Sequence, residues 1–239
     1  MGVRLHKFLS ECGVGARRWC EALIERGEIS VNGCVVTKLG TIVEPECDSV
    51  IFRGKRVVPQ ENEYLALYKP IGVVCSCKKD SKYQRVIDLI PENKKRLFHV
   101  GRLDVDSEGL ILLTNDGEFS HIITHPSFEI VKEYQVWLNT RLTKEEVDCI
   151  ASGVPISDEH IAHAIVKKTE PLKKGCVVYL ELVEGKNREI RKLFGRLHKK
   201  VLRLRRLRIG PVQLGSLSQG QYRPLTEEEV SFFKKMKKE

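Results

Sequence analysis

Asp104 combines a residue type and surroundings that are suited to covalent chemistry. It ends the run Gly101-Arg102-Leu103-Asp104, in which the glycine permits a tight backbone approach and the arginine places a cation beside the carboxylate. A nearby cation keeps a carboxylate ionised, and an ionised carboxylate can act as a nucleophile. The alternative is a turn aspartate that caps the loop before an apolar strand at 111–114. The local sequence alone favours the turn, so a catalytic role needs support from other parts of the chain.

A calcium loop is another interpretation of the same acids. Counted from Asp104, acids stand at positions one, three and five and a glycine at position six, as in the first half of a calcium-binding loop. Position twelve is Asn115 rather than glutamate, and residues 110–113 are apolar, as in a buried strand. His121 and His125 stand four residues apart on a predicted helix but lack a third ligand, so we interpret them as structural or RNA-facing. We therefore expect no metal site.

Signatures of nucleotide cofactors are absent from the sequence. It contains no G-x-G-x-x-G, no G-x-x-x-x-G-K-[ST] and no H-E-x-x-H. Their absence removes the strongest sequence cases for dinucleotide, triphosphate or zinc-protease chemistry. An RNA methyltransferase or an aminoacyl-tRNA synthetase needs a nucleotide-binding signature and is disfavoured for the same reason. We expect no cofactor.

The positive charge of the chain is concentrated in one segment. The 239 residues are 41% hydrophobic and 31% charged, without an apolar run long enough to span a membrane, which excludes a membrane-spanning or disordered chain. The net charge is +9, and residues 186–210 hold eleven basic side chains against one acid, Glu189, so the rest of the chain sums to −1. A polyanion is therefore the expected partner. The length predicts one large or two unequal domains, and we expect a monomer.

The amino terminus and the cysteines indicate a cytoplasmic protein. Residues 1–4 begin no apolar signal segment, and His6 stands where a myristoylation motif has serine or threonine. The eight cysteines show no C-x-x-C spacing, so we expect free thiols in a reducing compartment. We expect no membrane partner.

Two helices and a hairpin are predicted near the amino terminus. Apolar spacing predicts one helix over 4–12 and a second that begins at Ala16 and stops at Gly27. Asn32-Gly33 lies between short apolar pairs, which is the strongest local signal for a β-hairpin. Pro59 and polar residues then mark a linker at 58–63.

Basic side chains flank the apolar stripes of these helices. They form either a phosphate-binding edge or a solvated helix face, and they comprise Arg4, Lys7, Arg17, Arg18 and Arg26. The order of elements resembles the RNA-binding domain named after ribosomal protein S4, above all at residues 4–9, Arg17-Arg18 and 27–33. The resemblance implies that Lys7, Arg17 and Arg18 help to bind structured RNA, through shape and phosphate contacts rather than base reading.

Strands and helices alternate too irregularly in the rest of the chain for a βαβ series. Strands are predicted at 64–68, 73–75, 111–114, 133–138, 164–166 and 176–183, and helices at 117–124, 143–151, 187–198 and 226–237. We therefore predict an α+β fold: a small RNA-binding domain of helix-turn-helix plus strands, residues 1–60, and a larger domain, residues 61–239. The larger domain is expected to have a mixed, mostly antiparallel central sheet.

Several separate motifs of the larger domain agree with one another. They are found at 101–104, 107–110, 113–117, 125–127, 132–134 and 184–192. Together with the amino-terminal module they cover essentially the full chain, which resembles the RsuA/RluB family of ribosomal RNA pseudouridine synthases. The resemblance implies a catalytic domain at 61–239 that converts a uridine of ribosomal RNA to pseudouridine without a cofactor. The motifs favour the large-subunit branch over the small-subunit branch.

The family also implies roles for individual residues. Asp104 is the catalytic nucleophile, Tyr134 stacks on the target base and assists in proton removal, and Arg191 pairs with Asp104. Leu204 matches an apolar position that lines the pocket. Contacts with RNA are expected from Arg102 and from the basic segment, through Lys186, Arg188, Arg205 and Arg206.

These residue types suit the reaction. The bond from ribose to N1 of uracil is cleaved and the base is rejoined through C5, so the base has to stay bound throughout. An ionised aspartate can attack the ribose or the ring, or take a ribose proton, and all three routes remain open. The target uridine is expected to flip out of the RNA. The rival interpretation is a non-enzymatic ribosome-associated or assembly factor, against which the filled Asp, Tyr and Arg positions argue.

Overall fold

The chain folds into two compact units in a computed structural model, which describes residues 2–77, 82–90 and 95–236. One unit comprises Met1–Glu63 with two short later segments, Glu92–Leu97 and Asn115–Gly117. The other comprises the remainder: Tyr64–Pro91, Phe98–Thr114 and Glu118–Glu239. Among the described residues, no helix has the length and apolar character that crossing a membrane requires.

The first unit contains two short helices and small antiparallel sheets. Its elements are β1 (Val3–Arg4), α1 (Leu5–Glu11), α2 (Arg17–Glu25), β2 (Ile29–Val31), β3 (Cys34–Val36), β4 (Ile42–Val43), β5 (Val50–Phe52) and β6 (Lys55–Arg56). The strands pair in the order β3-β2-β5-β6, and β1 pairs with β4. Phe8 and Leu23, from the two apolar stripes, are buried in one core. The hairpin is confirmed, with φ of 52° at Asn32 and 83° at Gly33.

The second unit is built on a nine-stranded sheet. Its strands are β7 (Tyr64–Lys69), β8 (Phe98–Val100), β9 (Glu108–Thr114), β10 (Lys132–Leu138), β11 (Val154–Ser157), β12 (His160–Ala162), β13 (Ile165–Pro171), β14 (Cys176–Leu182), β15 (Val201–Ile209), β16 (Val212–Gln213) and β17 (Tyr222–Pro224). The sheet order is β13-β14-β10-β15-β9-β7-β17, with β16 beside β15 and β8 beside β9, while β11 and β12 form a separate hairpin. Among the described strands only β15 and β9 pair in parallel. The predicted α+β fold with a mixed, mostly antiparallel sheet is therefore confirmed.

Four helices accompany this sheet: α3 (Gly117–Thr124), α4 (Lys144–Ser152), α5 (Glu189–Arg196) and α6 (Glu227–Lys235). Short 3₁₀ turns lie at Val86–Leu89 and Pro126–Phe128. Phe119 of α3 and Phe233 of α6 meet edge to face, with centroids 5.3 Å apart, and pack with Ala66 and Leu110 of the sheet. All four helices lie where the apolar periodicity predicts them, to within two or three residues at each end. The last predicted residue, 237, lies outside the described residues.

The strand predictions for this unit need correction at one predicted strand and at the strands that were not predicted, which are β8, β11, β12, β15, β16 and β17. The predicted strand 73–75 is reduced to a single bridge from Val74 to Arg85, because the turn at Gly72 leaves Val74 as its one paired residue. The strand β15 was not predicted at all. Its alternating arginines make it look like a solvated charged segment, but acids from other strands pair with them and let the segment form the middle of the sheet.

Gly109 lies where β9 pairs with β15, opposite Arg206. Its φ is +109°, and a Cβ atom there would lie 2.3 Å from the carbonyl oxygen and 2.6 Å from the amide nitrogen of Arg206. Gly109→Ala is therefore expected to lower the free energy of unfolding by about 2 kcal/mol, measured by urea denaturation. Gly195→Ala is the matched control in α5, where a Cβ has nothing within 4 Å. The control should gain about 0.5–1 kcal/mol, and an unchanged Gly109→Ala protein would contradict the β9–β15 pairing.

Candidate active site

A cleft of about 280 Å³ opens in the second unit, on the face of the sheet that carries Tyr134. Its walls come from the loop 101–104, the start of α5 with the loop before it, and the strands β10 and β15. The volume is close to the lower limit of small-molecule pockets, about 300 Å³, which suits a ligand the size of one ring. Several sequence-predicted residues line it together: Arg102, Asp104, Tyr134, Lys186, Arg188, Leu204 and Arg206.

Asp104 is placed by a short, well-tethered loop. His99 Nδ1 donates to the carbonyl of Gly101 at 2.7 Å, and the amide of Leu103 donates to Cys75 Sγ at 3.3 Å. The carbonyl of Asp104 accepts from the amide of Ser107 at 3.1 Å, which closes a turn immediately before β9. The side chain of Asp104 remains 32% exposed, so it is open to a ligand in the cleft.

The arginine beside Asp104 is Arg188. Its Nη1 lies 3.4 Å from Asp104 Oδ2, and its Nη2 lies 3.3 Å from Asp106 Oδ2. Arg191, one helical turn further along α5, instead contacts the carbonyl oxygen of Asp106 at 3.0 Å and Asp106 Oδ2 at 3.3 Å. It also donates to the carbonyl of Val201 and does not line the cleft. The structure thus brings Arg188, at the start of the helix, to Asp104 in place of the predicted Arg191, whose role in the site stays a prediction.

Tyr134 and Leu204 supply the flat apolar surface of the cleft. Tyr134 on β10 stands opposite Arg206 on β15, and Leu204 is two residues further along the same strand face. Tyr134 is 7% exposed, Leu204 6% and Arg206 3%. An aromatic ring with a neighbouring apolar side chain offers a stacking surface for a nucleobase.

A buried lysine, Lys69, and a partly buried one, Lys132, lie close to these residues. Burial lowers the pKa of Lys132 and that of Lys69 to about 8 each, and the charge of Arg206 contributes to both shifts. Lys132 Nζ donates to the carbonyls of Ile130 and Val183, both at 2.9 Å, and lines the cleft. Lys132 was not among the predicted site residues, although strand alternation places it on the face of Tyr134.

A buried acid holds the loop 184–189 that forms the opposite wall. Glu189 accepts from the amide of Lys186 at 2.9 Å and from His160 Nε2 at 3.0 Å. Lys186 Nζ donates to His160 Nδ1 at 2.6 Å and lies 3.2 Å from Glu184. His160, Glu184 and Glu189 are close enough to share a cation, but the ammonium group of Lys186 already contacts two of them, so the cluster suits a loop clamp better than a metal site. Neither His160 nor Glu189 was among the predicted site residues.

The basic segment 186–210 is divided between the two faces of the sheet. Lys186, Arg188 and Arg206 line the cleft. Arg205 lies between Leu204 and Arg206 on β15 and therefore points to the other face, where it contacts Glu108 at 3.3 Å. Arg205 does not line the cleft and its charge is paired with an acid of β9, and its predicted contact with RNA stays a prediction.

The predicted RNA-binding residues of the first unit differ in their contacts. Lys7 Nζ lies 3.7 Å from Glu11, one turn along α1. Arg17 and Arg18 are exposed at the start of α2. Within the part of the chain that the structure describes, neither arginine has an ion-pair partner, so both are available to an anion.

Comparison with known proteins identifies the family. The sequence model of RNA pseudouridylate synthase matches residues 63–195, and that of the S4 domain matches residues 3–50. The "Ribosomal large subunit pseudouridine synthase B" of Bacillus subtilis is 35% identical over 95% of this chain and 93% of its own length. An "Uncharacterized RNA pseudouridine synthase" of Aquifex aeolicus is 36% identical over 97% and 93%. A crystal structure of a pseudouridylate synthase superposes with a TM-score of 0.68 at 32% identity, covering 97% of this chain and 99% of the other.

The protein is thus an RNA-modifying enzyme whose RNA-binding domain precedes the catalytic fold in the sequence. The chain belongs to the RNA pseudouridine synthase family, and its domain order and relatives fit the RsuA/RluB branch. It isomerises uridine in RNA.

Proposed function

We propose that the protein converts one uridine of large-subunit ribosomal RNA to pseudouridine, with Asp104 as the nucleophile. The observation that carries the proposal is the cleft itself, where the partly exposed carboxylate of Asp104 and the ring of Tyr134 line one ring-sized space. Arg188 beside Asp104 favours its ionised form, which is the form that can attack the ribose or the ring, or take a ribose proton.

The remaining residues of the cleft have roles in holding the base and the RNA. Tyr134 stacks on the flipped uracil while it is detached and assists in removing the proton from C5. Leu204 packs against the base, and Arg102, Lys186 and Arg188 contact the flanking phosphates. Arg191 acts indirectly, because it fixes Asp106 beside the loop that carries Asp104.

The ribosomal substrate is inferred from a relative and from the domain order. The Bacillus subtilis relative is named for the ribosomal large subunit. We assign residues 1–60 to RNA binding and residues 61–239 to catalysis, and we infer that the protein works as a monomer in the cytoplasm, where ribosomal RNA is modified. A basic chain with a net charge of +9 suits this polyanionic partner.

A tritium-release assay tests the function. The protein is incubated with transcripts of large- and small-subunit ribosomal RNA that carry tritium at C5 of uridine. Release to water is expected from the large-subunit transcript at one site, because C5 loses its hydrogen when it is joined to ribose. Release from the small-subunit transcript alone would contradict the choice of subunit. RNA binding without release from either transcript would favour the assembly factor.

Arg17 and Arg18 are expected to contact RNA phosphates. The double variant Arg17→Ala/Arg18→Ala should bind the substrate RNA about tenfold more weakly. The plot of the logarithm of the association constant against the logarithm of the salt concentration should become less steep by about 1–2, since each lost phosphate contact removes about one unit of slope. The control Lys38→Ala/Lys55→Ala removes two exposed cations of the same unit. Equal losses in both double variants would mean that only bulk charge matters and would contradict a specific contact.

A further inference from the structure

Arg206 carries a buried positive charge whose hydrogen-bonding capacity is only partly used. Its Nε donates to the carbonyl of Leu110 at 2.7 Å, whereas Nη2 is buried without any hydrogen-bond partner. No carboxylate among the described residues forms an ion pair with it. By contrast, Arg203, Arg205 and Arg208 of the same strand each contact a glutamate.

An unpaired buried cation is costly, and its retention requires an explanation. Buried polar groups in native proteins almost always have partners, and a buried charge is normally compensated by an opposite charge. The position of Arg206 is also firmly fixed, since its backbone pairs with Gly109 in the parallel pairing of β15 with β9 and its Nε is bonded to Leu110. The guanidinium is therefore held in place in the wall of the cleft before a ligand arrives.

The surroundings make this end of the cleft electropositive. Lys69 Nζ donates to the carbonyls of Pro70 and Val73, both at 2.8 Å, and Lys132 Nζ is likewise bound by two carbonyls. Both ammonium groups thus contact neutral main-chain oxygens, which leave their positive charge uncompensated. Arg188, at the other wall, is occupied by Asp104 and Asp106. Arg206 is thus a guanidinium in the cleft wall that has no carboxylate partner among the described residues.

Every chemical route open to Asp104 places a negative charge on the uracil. In attack on the ribose, an oxygen of Asp104 bonds to C1′ while the C1′–N1 bond breaks and its electron pair leaves with uracil. In ribose-proton removal, Asp104 takes the C2′ proton, a C1′–C2′ double bond forms, and the C1′–N1 pair again leaves with uracil. In attack on the ring, the oxygen bonds to C6 and the pair of the C5–C6 double bond moves to O4. C5 then bonds to C1′. In the first route the bond from C1′ to Asp104 breaks, and in the second C2′ takes its proton back from Asp104. In the third the C1′–N1 bond breaks with its pair on N1, and the bond from C6 to Asp104 breaks as the C5–C6 double bond re-forms. In each route the charge disappears when C5 has lost its proton and N1 has gained one.

We propose that Arg206 is a catalytic residue whose guanidinium stabilises the negative charge on the uracil oxygens while the base is cleaved, rotated and rejoined. The proposal rests on the proposed uridine isomerisation and adds to it a residue that acts on the base rather than on Asp104. Donors that are fixed in advance where charge develops are among the largest contributions to catalysis. A single fixed guanidinium can donate a hydrogen bond to O2 or to O4 as the base turns, because it offers several donors in one plane.

Leaving-group dependence tests this role. Arg206→Gln removes the charge, and Arg206→Lys keeps it but lacks the planar fork of donors. Each is assayed under single-turnover conditions on the same RNA with uridine or with 5-fluorouridine at the target, and loss of the original nucleoside is followed by mass spectrometry after digestion. On uridine, Arg206→Gln is expected to be about 10²–10³-fold slower than the native protein, with RNA affinity within about threefold. On 5-fluorouridine the deficit should shrink at least about tenfold, because fluorine stabilises the uracil anion by itself.

The controls separate this role from folding and from phosphate binding. Arg208→Lys changes an arginine of the same strand that points to the other face and contacts Glu133, and it should react like the native protein with both nucleosides. A deficit that is equal for uridine and 5-fluorouridine would overturn the proposal, as would a loss confined to RNA affinity. If Arg206→Gln does not fold, Arg206→Lys decides the question through the same comparison. Failure of the native protein to convert uridine would count against the proposed function and not against Arg206 alone.

Discussion

Asp104→Asn is expected to lower the single-turnover rate of uridine isomerisation by about 10⁴-fold or more, while RNA affinity stays within about threefold. Asparagine has nearly the shape of aspartate but no negative charge, so it can neither attack carbon nor accept a ribose proton. The loop that places residue 104 is held by backbone hydrogen bonds and by the hydrogen bond from the Leu103 amide to Cys75 Sγ. The substitution leaves these contacts in place. Tritium release measures the rate, and filter binding measures the affinity.

Asp106→Asn is the matched control for this variant. Asp106 is also an acid in contact with Arg188, but it does not line the cleft. Its loss weakens the support of Arg188 and Arg191, so we expect a reduction of about tenfold, which corresponds to about 1.4 kcal/mol. If isomerisation survived in Asp104→Asn but was abolished in Asp106→Asn, the nucleophile would be Asp106 and not Asp104.

Local periodicity was sufficient to predict most of the fold. The helices of both units follow from apolar spacing, and the hairpin at Asn32-Gly33 follows from the backbone angles that its turn requires. Strand β15 could not be predicted in the same way. Its arginines are compensated by Glu108, Glu133 and Glu181, which come from other strands, so the segment resembles a solvated surface until the sheet is assembled.

For the candidate site, too, residues could be named from the sequence, but their interaction partners could not. The resemblance of the motifs to a known family selected Asp104 and Tyr134, and the basic segment contributed Arg206; the structure brings all three to one cleft. The partner of each charge was not predictable, because a one-turn difference along α5 decides whether Arg188 or Arg191 reaches Asp104. The role of Glu189 was also hidden, since its partners depend on how the β11–β12 hairpin contacts α5.

Glu108→Ala is expected to lower the free energy of unfolding by about 3 kcal/mol, the largest stability effect that we predict. Glu108 is fully buried at the start of β9 and directly follows the turn that contains Asp104. Side chains of β7 and β15 contact its carboxylate. It accepts hydrogen bonds from Tyr68 Oη at 3.1 Å and Gln219 Nε2 at 2.8 Å, and it pairs with Arg203 and with Arg205. Removing it leaves two arginines without their carboxylate, and breaking a buried pair in this way is strongly destabilising; their partial exposure keeps the loss at the lower end of the usual range.

The pH dependence of stability separates the charge of Glu108 from its shape. Burial alone would raise the pKa of Glu108, but its hydrogen bond with Arg203 and the charges of Arg205 and Arg203 lower it below the ordinary value of 4.5. The stabilisation that the ionised Glu108 provides is therefore complete at pH values above its ordinary pKa of 4.5. It is lost as the pH falls through the lowered pKa of Glu108 in the folded protein. Urea denaturation of the native protein and Glu108→Gln should show a difference of about 2 kcal/mol near neutral pH that narrows in acid.

Glu170→Gln is the comparison that identifies burial as the cause. Glu170 also pairs with a cation, Lys168 at 2.6 Å, but this pair lies at the exposed edge strand β13, where solvent screens the charges. Its replacement should leave the free energy of unfolding nearly unchanged at neutral pH. If Glu108→Gln behaved like Glu170→Gln, the contacts across the parallel junction would not hold β9 to β15. If the Glu108→Gln difference stayed constant into acid, the stabilisation would come from packing and neutral hydrogen bonds rather than from the carboxylate charge.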